Sequence, residues 1–187
     1  MKYLAIASVA SLALLAACNQ GGDSAGQNAN ETVNATQDAT SGVVGQTSAM
    51  TMGANTVDGF VTGLGTGNMY ELEAAKIAAA KSKNADVKAL AAMITKDHTA
   101  AGEKLAAAQA TAAPNVAIPT TLDERRKGLI DNLNAATPDD FDKVYLDQQV
   151  AAHNETLTLL NGFADNTEAP ALATLARELV TPVTAHR

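Results

Sequence analysis

The sequence predicts an all-α protein: an up-and-down bundle of four long helices and a short connecting helix, set behind a signal peptide and a flexible tether. Three observations predict it. Apolar residues recur at spacings of three and four in several long stretches, and no stretch alternates apolar and polar residues with a β-branched bias. The chain is rich in alanine, the best helix former, and only 3% of it is aromatic. Helix-starting and helix-breaking residues punctuate it at regular intervals.

The opening "MKYLAIASVASLALLAACNQ" has a basic start, a short apolar run and small residues leading to a cysteine. This is a secretory signal over residues 1–17, too short for a membrane span, which needs roughly 20 apolar residues. Leu15-Ala16-Ala17-Cys18 resembles the lipobox of bacterial lipoproteins, which implies cleavage before Cys18 and acylation of it. Cys18 is the only cysteine, so no disulfide competes for it. The implied place is the cell envelope: a periplasm-facing lipoprotein held by its acyl chains, with Asn19 favouring the outer membrane. Residues 18–55 are Gly, Ser, Thr, Asn, Gln and Ala with few charges, and are expected to form the tether. The folded domain is expected over residues 56–187. With a net charge of −7 and no basic patch, nucleic acid is excluded as a partner, and no protein partner is indicated.

Asn68-x-x-Glu71 has capping-box spacing and opens a helix to about Lys83. The preceding "VDGFVTGLG" is expected to be a turn because of its glycines. Asn84 caps the next helix, to about Ala110. Pro114 and Pro119 break the chain, and Thr121-x-x-Glu124 opens the short helix. Thr137-Pro138 fits N-cap plus first helical position for a helix to about Phe163. Pro170 starts the last helix, and Pro182 lies inside it.

All three histidines fall on faces expected to be buried. His98 lies in line with Val87, Ala91, Ile94 and Leu105. His153 fills a gap in the stripe Leu146, Val150, Leu157, Leu160. His186 follows Leu172, Leu175, Leu179 and Val183. Glu73 is expected on the stripe of Tyr70 and Ile77, with Glu71 turned away. A buried polar group without a partner costs roughly 1–3 kcal/mol, so each imidazole needs one. Asp97, Asp142, Tyr145 and Gln149 are the expected polar core network. Alternatively, Glu73, His98 and His153 hold a divalent metal, iron, manganese or zinc, with His186 a further candidate. Counting ~1.5 Å per residue from a turn near Asp165 puts His186 roughly 13 Å out of level with His153, hence in a separate pair near Tyr145 and Asp142.

"GNMYELEAAKIAAAKSKNADVKALAAMITKDHTAAGEKL", "FDKVYLDQQVAAH" and "LARELVTPVTAHR" together resemble the bacterial domain of unknown function 4142 family. The carrying motifs are Glu71-x-Glu73, Asp97-His98, Phe141-Asp142-x-x-Tyr145 with His153, and Pro182-x-x-x-His186. The resemblance implies an exported, often lipid-anchored protein with a ferritin-like bundle. Ferritin-like di-metal proteins use Glu-x-x-His pairs. Here Thr95, Val150 and Val183 stand three residues before the histidines, so the chain departs from that pattern. No nucleophile motif or phosphate loop is present, and no enzymatic role is expected. Two functions remain: a tethered envelope or stress-related binding module, and a metal-binding bundle.

Overall fold

The computed structural model describes residues 24–187, and every regular element in that range is helical. The order is α1 (Ser24–Ser48), a π-helical turn (Ala49–Gly53), α2 (Val57–Lys81), α3 (Ala85–Ala112), α4 (Glu124–Ala135), α5 (Phe141–Phe163) and α6 (Pro170–Ala185). The expected up-and-down bundle is present. α2 packs on α3, α3 on α6, α6 on α5 and α5 on α2, which closes a four-helix ring. The short α4 lies against α2 and α5. None of the described helices is long and apolar enough to cross a membrane. The expected signal peptide and the expected acylation site, Cys18, lie outside the described residues.

Two apolar clusters fill the ring. One is built on Phe60, Leu64, Leu105, Phe163 and Leu172, with Phe60 and Phe163 stacked at 4.0 Å. The other is built on Tyr70, Ala74, Val87, Ile94, Leu133 and Tyr145. On α3, His98 falls between the residues given to the two clusters, and on α5 His153 does the same. The bundle therefore has a polar layer between two apolar ones.

Several local expectations are corrected. The tether expected over 18–55 is helical over most of its length. Its small residues let α1 approach α5, where a Cβ on Gly42 would meet the Ala151 Cβ at 3.3 Å. Polar contacts then fix it: Asn132 Nδ2 and Gln148 Nε2 both donate to Asp38 at 2.7 Å, and Arg125 donates to the Ser41 carbonyl. Composition registered the scarcity of apolar area but not these anchors.

α2 starts at Val57, well before Asn68, and is capped by Thr56, whose hydroxyl accepts from Gly59 N. Its glycines serve packing. A Cβ on Gly65 would lie 3.1 Å from both Ile118 and Pro119 of the strap between α3 and α4. α4 is capped by Asp123, which accepts from Arg126 N, rather than by Thr121. Thr137 begins a turn ahead of α5, its carbonyl accepting from Asp140 N and Phe141 N. The caps at Asn84 and the helix start at Pro170 stand as expected.

Candidate metal centre

His98 on α3, His153 on α5 and His186 at the end of α6 meet in the polar layer. One nitrogen from each lies within 4.8 Å of the other two. All three residues are buried, at 6%, 1% and 4% exposure, in a bundle whose core is otherwise mostly apolar.

The opposite nitrogen of each ring faces an oxygen. His98 Nδ1 lies 3.0 Å from Asn68 Oδ1, His153 Nδ1 lies 2.8 Å from the Gln149 carbonyl, and His186 Nε2 lies 3.0 Å from Asp97 Oδ2. A carbonyl or carboxylate can only accept, so these three nitrogens donate. The tautomers follow. In a neutral imidazole the nitrogen opposite the donor carries the lone pair, which here is His98 Nε2, His153 Nε2 and His186 Nδ1, the last two 3.2 Å apart. His98 Nε2 is buried with no hydrogen-bond partner in the protein. Burial, together with the neighbouring imidazoles, pushes His98 down to about 3. Burial likewise holds His153 at about 4, against the pull of the Gln149 carbonyl. Both rings are therefore neutral near pH 7, the form that binds metals.

Three nitrogens 2.0–2.1 Å from one tetrahedral ion stand about 3.3 Å apart. The His153–His186 separation of 3.2 Å already matches that, and the remaining separations, at most 4.8 Å, close with a shift of the His98 ring of up to about 1.5 Å. The oxygens behind the rings are the outer partners that a metal-bound histidine uses to fix its tautomer.

The convergence of His186 with His153 overturns the expected mismatch. The turn is no tight hairpin at Asp165 but a linker over 164–169. From the helix ends, His153 is ten residues back and His186 sixteen residues on, about 9 Å of difference. Six linker residues span up to about 20 Å, enough to let α6 begin beyond the end of α5.

Glu73 is exposed and lies outside the site; Glu71 is the buried carboxyl, at 1% exposure. α2 is covered by both α3 and α5. Its buried arc is correspondingly wide, through Tyr70, Glu71, Ala74, Ala75 and Ala78, while Ile77 is only partly buried. Glu71 Oε1 comes within 3.6 Å of His153 Nδ1, on the side of the ring away from the other histidines. Burial pushes its carboxyl up to about 8; the Gln149 amide, close by but outside hydrogen-bond geometry, and the Arg126 charge pull the other way.

The expected network divides. Asp97 has joined the histidine cluster, and Gln149 contributes its backbone carbonyl. The Gln149 amide, the Tyr145 hydroxyl, Asp142 Oδ1 and both Glu71 oxygens are buried without a partner in the protein. His186 is not paired with Tyr145 or Asp142. On α5 the expected stripe residues Leu146 and Val150 are 40% and 49% exposed, and Tyr145, Gln148 and Gln149 are buried in their place. Asn68, first read as a cap, is the one site residue the sequence did not single out. Its signal is the spacing Asn68–Glu71–Ala75, which runs down the same buried arc.

The model of a domain of unknown function, DUF4142, matches residues 43–187, and the chain belongs to that family. No curated protein and no solved structure matches it.

Proposed function

We propose that this member of a family without an assigned function is a metal-binding bundle that holds one borderline divalent ion on His98 Nε2, His153 Nε2 and His186 Nδ1. The observation that supports this is the convergence of three buried imidazole nitrogens, each with its far nitrogen tied to an oxygen. An all-imidazole set suits zinc, iron, copper and nickel. It suits manganese poorly, because no carboxylate oxygen belongs to it. Glu71 is an outer neighbour of His153, and Glu73 plays no part. The ion fills the unpartnered face of His98 Nε2 and takes the lone pairs of His153 Nε2 and His186 Nδ1, which face each other at 3.2 Å. The Leu15-Ala16-Ala17-Cys18 motif supports an envelope address for this site, through an acylated cysteine facing the periplasm.

The test is metal analysis of the full chain purified without chelator, followed by calorimetric titration with zinc. One ion per chain, lost in His98→Ala, is the expected result. Sub-stoichiometric metal, with no shift of Tm on adding zinc, iron, copper or nickel, overturns the reading. The address is tested separately by palmitate labelling and cell fractionation of the chain and of Cys18→Ser.

A further inference from the structure

The side of the bundle that carries α1 holds a cavity of about 950 Å³, between α1, α4 and α5. That is the size of an organic-ligand site. Leu129, Val144, Ala151 and Ala152 give it apolar walls, and Tyr70 and Glu71 lie at its inner end. Both Glu71 oxygens are buried and have no hydrogen-bond partner in the protein.

The charges lining the cavity are unequal. Arg125, Arg126 and Lys143 are its basic residues, and all three are engaged. Arg125 binds Glu155 at 2.8 Å, Arg126 binds Glu155 at 2.6 Å and also Asp123, and Lys143 pairs with Asp147. Glu31, Asp38, Glu71 and Asp140 also line the cavity. Among the described residues none of these four has a lysine or arginine at ion-pair distance. Asp38 accepts only from the neutral amides of Asn132 and Gln148. Burial, reinforced by Asp147, holds its carboxyl above the usual range. A cation placed here would meet the Asp38 carboxyl, which has no basic side chain at ion-pair distance, and the unpartnered Glu71 oxygens, and its apolar part would displace water from the alanine and leucine walls.

We propose that this cavity binds a primary amine carrying a short apolar body, with its ammonium among Asp38, Glu71 and the Tyr70 end of the cavity. This site is separate from the metal reading and does not depend on it. An anionic ligand is disfavoured because each basic group that would receive it is already paired.

The probes are octylamine and octanoate, equal in chain length and opposite in charge, titrated into the full chain by calorimetry and thermal unfolding. Octylamine is expected to bind and raise Tm, and octanoate is not. Asp38→Asn should weaken octylamine about tenfold, the effect of removing one charge-assisted partner, and Glu71→Gln, which exchanges a protonated carboxyl for a neutral amide, should weaken it less. Ala35→Trp, at an exposed position of α1 that lines the cavity, should remove octylamine binding and leave zinc stoichiometry unchanged. Equal binding of the two probes overturns the charge argument. Octylamine binding that survives both Ala35→Trp and Asp38→Asn overturns the location, and no octylamine binding overturns the proposal. Zinc failing to bind a chain that takes octylamine sinks the metal reading alone.

Discussion

His153 separates two polar clusters that handle their hydrogen bonds in opposite ways. On one side, the far nitrogens of His98, His153 and His186 end on Asn68, Gln149 and Asp97, and the inner nitrogens face each other. On the other side, Glu71, Tyr145 and the Gln149 amide are as deeply buried and have no partners within the protein. An outer ring of acceptors fixes lone-pair directions before any ion arrives, which is the requirement for a tight metal site. A buried group of mixed donors and acceptors with free rotors has no such fixed direction. It suits a ligand that brings its own hydrogens.

Replacing the imidazole between the clusters should produce the largest effect. In His153→Ala, zinc affinity is expected to fall by at least about a hundredfold. The stabilisation by zinc, about 2.7 kcal/mol at a hundredfold excess over Kd, should disappear with it. Calorimetry and thermal unfolding with and without zinc read both quantities. Retained affinity would place the ion elsewhere.

The outer ring comes next. Asn68→Ala and Asp97→Ala remove acceptors without touching an inner nitrogen, and each should weaken zinc about 10–100-fold. In the unpartnered cluster, Glu71→Gln should change zinc affinity far less, because Glu71 stands 3.6 Å from a His153 nitrogen that already donates to a carbonyl. If Glu71→Gln matched Asn68→Ala in effect, the two clusters would be one site.

The histidines were legible in the sequence because α3 buries one narrow arc. Val87, Ala91, Ile94, His98 and Leu105 follow the three-and-four spacing, and all are buried. α2 and α5 defeated the same rule. Besides its two ring neighbours, each is also covered by α4 and the π-helical turn, and α5 by α1 as well, so a single stripe such as Tyr70–Glu73–Ile77 or Leu146–Val150 does not describe what is covered. The side of α5 that faces α1 and Glu71 is polar, which an apolar count reads as exterior. The meeting of His186 with His153 depends on where a six-residue linker lets α6 begin, and residue counting through a point turn misses it. The helical class and the cap at Asn84 depend on local spacing alone and were readable.

Acid and base should pull the metal-free protein in opposite directions, one cluster against the other. Unfolded histidines take up protons below about 6.5, whereas native His98 and His153 do so only near 3 and 4. Their contribution to stability is therefore lost as pH falls below 6.5. Glu71 runs the other way. Its native carboxyl keeps its proton up to about 8, but the unfolded one ionises near 4.5, so stability is lost as pH rises from 4.5 to 8. Between 4.5 and 6.5 two histidines outweigh one glutamate, and above 6.5 the glutamate acts alone. These three groups place maximum stability near pH 6.5, with a slope of about 1.4 kcal/mol per pH unit on either side. Denaturant unfolding across pH 5–8 checks it, and Glu71→Gln should flatten the alkaline limb only.

The smallest effect separates a partnered buried hydroxyl from an unpartnered one. Tyr70 and Tyr145 are both almost fully buried and belong to the same apolar cluster. Tyr70 donates to Gln148 Oε1 at 2.8 Å, whereas the Tyr145 hydroxyl has no partner in the protein. Tyr70→Phe should therefore cost about 1 kcal/mol, since it also orphans the amide oxygen of Gln148. Tyr145→Phe removes only a desolvated hydroxyl and leaves the stacking against Phe141, 6.2 Å away, in place. It should be neutral or stabilise by up to about 1 kcal/mol. Paired chemical denaturation of the two variants gives the comparison directly. A cost for Tyr145→Phe equal to that of Tyr70→Phe would mean that ordered water satisfies the Glu71 cluster. An amine entering the cavity would then have to displace that water, and octylamine affinity should rise in Tyr145→Phe instead of staying level.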